Sequence, residues 1–250
     1  MSDIENNHTR PGNNFRDGQA ARSTAPSATW RALDRRLPAN MVVTIDGAAR
    51  TGKNTSGELL AIAMGGVVVD SGRFYRSLTQ ACLLAGVNLD DAQAVADFCS
   101  GARVSSIVRG DKRGVFEALT TVDGVLFTKE TLLTLGGVTP KVAQVPKVRS
   151  VVNGVLQRIC GNGRYVVLGR DMGTAVFPET RYKFFFTADP TIREIRDSGS
   201  SAGQSVAKRD RSDARQTLVP ENATVIDTGS KSPEEVLVTM LDDVIGRTLE

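Results

Sequence analysis

The chain has 250 residues, 40% hydrophobic and 24% charged, with a formal net charge of +3. That length fits one large domain or one domain with appendages, and the composition is globular with room for a sizeable core. The basic balance is no sign of a nucleic-acid surface, because six Arg and four acidic residues put +2 in the first forty positions and leave +1 for residues 41–250.

Residues 1–40 are rich in Asn, Ser, Arg and Gly and poor in large apolar side chains. Such a segment cannot bury enough surface to offset its ordering entropy, and it reads as a disordered tail. Ala28 to Leu37, around the only Trp (Trp30), is the candidate for a short docked helix. The tail has no apolar h-region, and no run in the chain reaches the length of a membrane span. Asp3, Glu5, Asp17 and Asp34 argue against a transit peptide. The only histidine, His8, lies here, so the core works without a histidine base; Ser-His-Asp hydrolysis is excluded, phosphoryl transfer is not. Cys82, Cys99 and Cys160 are widely spaced, with no C-x-x-C, which speaks against zinc and for buried thiols in a reducing cytoplasm.

Met41 to Asp46 is a short apolar run ending in Asp-Gly, expected to be a buried strand. Gly52 to Met64 is expected to be a helix, Val67 to Asp70 a second strand and Arg73 to Ala85 a second helix. The middle differs. Arg103 to Val108, Gly114 to Val122 and Val125 to Thr128 predict short antiparallel strands, separated by the turn Asp111 to Gly114 and the hairpin signal Asp123-Gly124. A helix follows with Val148, Val151, Val152, Val155, Leu156 and Ile159 on one face and Arg149 and Asn153 on the opposite, accessible one. Tyr165 to Gly169, Tyr182 to Ala188 and Thr224 to Asp227 are further strands. The last helix has Ser232 as N-cap, Pro233 at N1 and Glu235 closing a capping box. Strands alternating with helices imply an α/β fold with a doubly wound parallel sheet.

The chemistry is concentrated between the first strand and the first helix, in Gly47-Ala48-Ala49-Arg50-Thr51-Gly52-Lys53-Asn54-Thr55. This is G-x-x-x-x-G-K in the strand–loop–helix context that a phosphate cradle requires. Backbone N–H groups of such a loop point at phosphate oxygens, and Lys53 can place its ammonium on β- and γ-phosphates. Asn54 stands where a Ser or Thr is usual, which makes Thr55 the candidate for touching phosphate or Mg²⁺. A GTPase would want Asn-Lys-x-Asp to read guanine, and none occurs.

Four further segments carry a family signature: Asp70-Ser71-Gly72-Arg73-Phe74-Tyr75-Arg76, Pro146-Lys147-Val148-Arg149, Gly169-Arg170-Asp171-Met172-Gly173-Thr174-Ala175-Val176-Phe177-Pro178, and Lys208 to Arg215. With the phosphate loop this set resembles bacterial cytidylate kinase, a P-loop nucleoside monophosphate kinase, from about residue 41 to the C-terminus. The resemblance implies a three-layer P-loop kinase occupying 41–250, with a small antiparallel NMP-binding insert at about 100–145 and a short lid at about 197–215. It implies transfer of the ATP γ-phosphate to CMP or dCMP with Mg²⁺. The sequence shows no exposed apolar stripe, so a monomer is expected, in the cytoplasm and with no nucleic-acid or membrane partner. By resemblance, Ser71, Arg149 and Asp171 belong to the CMP site. Arg209, Asp213 and Arg215 close from the lid side, and Arg193 and Arg196 steady the transferring phosphate. A guanidinium clamp for the acceptor phosphate suits Arg76, Arg149 and Arg170, because Arg matches phosphate oxygens bidentately. Ser71, Asp171 and Asp213 suit the cytosine edge or the ribose, and Tyr75 either lines the acceptor or packs.

Four positions depart from the resemblance. Leu168 replaces a carboxylate before Gly169, the lid is short, Arg215 comes one residue early, and Pro140 stands where a Ser is expected. Two other readings therefore stay open: a degenerate homologue that binds nucleotide with little turnover, and a P-loop kinase for another small acceptor.

Overall fold

The computed structural model describes residues 36–197 and 217–249. Its framework is one eight-stranded sheet. The strands are β1 (Met41–Gly47), β2 (Val67–Asp70), β3 (Val104–Gly110), β4 (Phe116–Val122), β5 (Val125–Leu126), β6 (Arg164–Leu168), β7 (Tyr182–Thr187) and β8 (Thr224–Asp227). Their order is β3-β4-β2-β6-β1-β7-β8, with β5 paired to β4. The helices are α1 (Lys53–Met64), α2 (Ser71–Leu84), α3 (Ala92–Gly101), α4 (Lys129–Leu133), α5 (Thr139–Ala143), α6 (Pro146–Ile159), α7 (Pro190–Asp197) and α8 (Pro233–Leu249).

The central strands are parallel: β1 pairs β6 through Val43↔Val166 and Ile45↔Leu168, and β7 through Ile45↔Phe184. Side chains alternate across a strand, so β1 serves two layers. Met41, Val43 and Ile45 join the cluster that includes Leu60 and Met64 of α1 and Met240 and Val244 of α8. Val42 packs on the other side, against the cluster holding Phe74 and Leu78 of α2 and Val152 and Leu156 of α6. Helices on both faces of a mostly parallel sheet give the expected three layers.

The antiparallel strands form as their turns predict, with β3 and β4 paired from Val104↔Val122 to Gly110↔Phe116. They do not stand apart from the sheet: β4 also runs parallel to β2 through Val67↔Phe116 and Val68↔Glu117. Local turn chemistry encodes the hairpin, whereas a parallel pairing between positions as distant as Val67 and Phe116 leaves no local signal. The third strand is shorter than expected and ends at Leu126. Helix α2 begins two residues before Arg73, because the Asp70 carboxylate accepts from the Gly72 amide and caps it. Helix α3 was not expected; Asp91 caps it by accepting from the Gln93 and Ala94 amides.

Leu37 is buried with the α1/α8 cluster, and the Arg164 guanidinium donates to the carbonyls of Leu37, Pro38 and Met64 at 2.9, 2.8 and 2.8 Å, so the chain is docked before β1 begins. The rest of the Ala28 to Leu37 segment, and the lid at about 197–215 beyond Asp197, lie outside the described residues. At the other end the capping box closes, with the Ser232 amide donating to Glu235 Oε2 at 2.7 Å and the Glu235 amide to Ser232 Oγ at 3.2 Å. No described helix is long and apolar enough to cross a membrane.

Phe184 and Val225 test where the core sits, since Phe184 is 0% exposed and Val225 on the edge strand is 53% exposed. Phe184→Ala is expected to lower the unfolding free energy by about 3–5 kcal/mol, and Val225→Ala by under about 1 kcal/mol. Urea unfolding followed by circular dichroism measures both.

Candidate active site

Strands β2, β6 and β1 are neighbours, and their carboxyl ends open on one cavity of about 850 Å³. The rim beyond strand carboxyl ends is where open α/β sheets bind ligands. The phosphate loop begins at the end of β1, Asp70 ends β2 with Ser71 after it, and Gly169-Arg170-Asp171 follows β6.

The loop leaves β1 by a close approach to β7. Gly47 has φ +141°, and a Cβ there would sit 2.3 Å from the Phe186 carbonyl oxygen, so only glycine fits. Lys53 opens α1 at the cavity, where the first-turn amides of a helix have no intrahelical acceptors. Its ammonium lies 2.7 Å from the carbonyls of both Gly47 and Ala48. Gly52, Lys53, Asn54 and Thr55 line the cavity, and Thr55 is exposed there. Thr51 is buried; its carbonyl accepts from Thr228 Oγ1 at 2.8 Å, which ties the loop to the end of β8.

The opposite wall carries the arginines. Arg76 is 2.8 Å from Asp70 Oδ2, Arg149 pairs with Asp171, and Arg170 donates to the Gly47 carbonyl at 2.5 Å. All three line the cavity with Ser71 and Tyr75. Ser71 is buried at the start of α2. The Tyr75 ring lies 5.8 Å below the Arg149 guanidinium carbon; burial pushes its pKa up to about 12, and its hydroxyl has no partner among the described residues. Cations parked on carbonyls and single carboxylates are pre-positioned, and an incoming phosphate can replace those acceptors.

Most predicted site residues therefore meet in one place. Arg196 of α7 also lines the cavity. Arg193 differs: it is buried, donating to the Ala188 carbonyl at 3.1 Å and reaching the Ala49 carbonyl at 3.5 Å beneath the loop. Arg209, Asp213 and Arg215 lie outside the described residues. Asn153 is not on an open face: its Oδ1 is buried without a partner among the described residues. Leu168 is buried and fills the space left by Gly57, where a Cβ would lie 2.7 Å from Leu168 Cδ2. Pro140 lines the cavity.

The residue missed from sequence is Asp46. It is fully buried, and its two carboxylate oxygens accept from the Met172 and Gly173 amides at 2.8 and 2.7 Å. It thereby ties the end of strand β1, where the phosphate loop begins, to the segment after Arg170-Asp171. Its signal was an acid closing a buried apolar strand, which sequence reading took only as a strand end. Burial raises its pKa from 3.8 to about 6, with the Asp171 charge adding to the rise; the two amides and Lys53 oppose it.

A family model described as Cytidylate kinase matches residues 43–245. A cytidylate kinase of Thermus thermophilus is 32% identical over 206 residues, covering 80% of this chain and 96% of that protein. One from Deinococcus radiodurans is 33% identical over 221 residues, covering 82% and 99%. One from Mycobacterium leprae is 31% identical over 225 residues, covering 84% and 97%.

Asp46 makes a signed prediction. Its folded pKa lies above the unfolded one, so folding takes up a proton between about pH 4 and 6. The stability it contributes through its proton is full below pH 4 and is lost as pH rises through 6. Relative to Asp46→Asn, the wild-type chain is expected to lose roughly 2 kcal/mol of unfolding free energy between pH 4 and pH 7. Urea titrations of both proteins across that range check it; parallel pH profiles would contradict it.

Proposed function

The chain belongs to the cytidylate kinase family, and from that premise we propose that it transfers the γ-phosphate of ATP to the 5′-phosphate of CMP or dCMP, giving ADP and CDP or dCDP. The observation that carries this reading is the shared cavity: the phosphate loop and three arginines open on it together, tied by Asp46 and by Arg170 on the Gly47 carbonyl.

Each wall has a distinct task. The loop amides and Lys53 hold the β- and γ-phosphates of ATP, exchanging the Gly47 and Ala48 carbonyls for phosphate oxygens. Arg76, Arg149 and Arg170 clamp the acceptor phosphate. Ser71, Tyr75 and Asp171 face the nucleoside part. No side-chain base is required, because the acceptor phosphate is already anionic near neutral pH; the residues act by position and charge. Arg196 adds positive charge at the cavity, while Arg193 supports the loop from below. The roles of Arg209, Asp213 and Arg215 at the substrates rest on the resemblance alone.

Mg²⁺ is part of the proposal. The ion keeps several waters and takes few protein ligands, so Thr55, exposed on the cavity wall, fits as its protein contact. Bound there with ATP, it would neutralise phosphate charge. Leu168 offers no oxygen and both Asp46 oxygens are engaged by amides, so Thr55 would be the protein residue to hold the ion. A monomer working in the cytoplasm on free nucleotides completes the reading.

An ADP-release assay with ATP, Mg²⁺ and CMP, dCMP, UMP or AMP tests it. Turnover with CMP or dCMP well above the others is expected. Lys53→Ala is expected to lower kcat by about 10²-fold or more while the fold survives. Arg149→Ala is expected to raise the KM for CMP by about tenfold and that for ATP by under about threefold. CMP binding without turnover would instead indicate a degenerate homologue, and no CMP binding would indicate another acceptor.

A further inference from the structure

The middle of the phosphate loop is strained. Arg50 has φ +63°, a left-handed conformation that a long side chain adopts at a penalty, because its Cβ crowds the following carbonyl. Such a residue keeps that conformation only where its surroundings over-determine it. Two contacts supply the determination here, both from the last turn of α7. Arg50 Nε donates to Asp197 Oδ1 at 2.5 Å, and Arg196 Nη1 approaches the Arg50 carbonyl at 3.4 Å. Arg196 is itself fixed, because it donates to the Thr228 carbonyl at 2.7 Å and Thr228 bonds the next loop residue, Thr51. The Arg50–Asp197 pair is half-buried, with side chains 33% and 15% exposed, which limits screening by salt.

We propose that Arg50 is a positioning residue for ATP: its ion pair with Asp197 holds the phosphate loop in the left-handed turn that aims the loop amides inward. The proposal rests on reading that loop as the ATP site. It assigns the end of α7 a task beyond supplying cavity charge, namely fixing the backbone on which the phosphates rest. Arg50 acts through its backbone and through Asp197. Its Nε points at the carboxylate, and the amide of the same residue belongs to the cradle.

Two substitutions separate this from direct contact between the guanidinium and phosphate. Arg50→Gly removes the side chain and also the steric penalty of φ +63°. Arg50→Ala removes the ion pair but keeps the Cβ. Dissociation constants for a non-hydrolysable ATP analogue, by calorimetry on proteins with intact thermal melts, are the readout, with the KM for CMP beside them. Asp197→Asn is expected to weaken the analogue about five- to tenfold and to move the KM for CMP less than about twofold. Arg50→Ala is expected to bind the analogue about tenfold more weakly than Arg50→Gly. With Arg50→Gly already in place, Asp197→Asn is expected to change the affinity less than about twofold. Equal losses in Arg50→Ala and Arg50→Gly, or an undiminished Asp197→Asn effect on top of Arg50→Gly, would overturn the proposal. Wild-type protein that binds the analogue but turns over no CMP would contradict the kinase reading and leave this cycle legible. Wild-type protein that binds no analogue would overturn both.

Discussion

A buried carboxylate with two backbone amides holds this site in register. Asp46 ends the central strand, and both of its oxygens are taken by Met172 and Gly173. Strand β1 delivers the phosphate loop; the segment it grips follows directly on the Arg170 and Asp171 that face the acceptor side. The phosphate loop and the segment after β6 are thus tied by this side chain, beside the β1–β6 pairing and the Arg170 bond to the Gly47 carbonyl. An ionised carboxylate with no exposure is expensive, and only its hydrogen bonds make it tolerable. The raised pKa is the trace of that tension.

Around this tie the cations are held ready. Lys53 and Arg170 rest on carbonyls of the loop itself, and Arg76 and Arg149 rest on Asp70 and Asp171. Each has a defined direction before any ligand arrives, so little rotamer freedom is lost when phosphate replaces the resting partner. Phosphoryl transfer depends on such positioning more than on proton transfer, which agrees with a described core that has no histidine.

Much of this was legible in the sequence because it is local. The G-x-x-x-x-G-K loop needs only a strand before it and a helix after it, and the capping box at Ser232 and Glu235 is a four-residue pattern. Arg76, Arg149 and Arg170, which line the cavity, stand in motifs at strand ends and a helix start. What escaped depends on partners distant in sequence. Asp46 accepts from amides 126 and 127 residues away. Arg193 is expected from the resemblance to steady the transferring phosphate, yet it is buried on the Ala188 and Ala49 carbonyls, contacts that no local pattern signals. The joining of β4 to β2 and the left-handed turn at Arg50 likewise follow from tertiary contacts. Leu168 read as a lost carboxylate; in the fold it is an apolar plug matched to Gly57.

The central claim is that both phosphate sites open on one cavity in fixed register. Adenosine and cytidine joined 5′ to 5′ through a pentaphosphate would occupy both at once, and calorimetry measures its affinity and stoichiometry. The account predicts one molecule per chain, bound at least about a hundredfold more tightly than ATP, with CMP binding abolished. Affinity no better than that of ATP, with CMP still able to bind, would show that the two walls do not form one site.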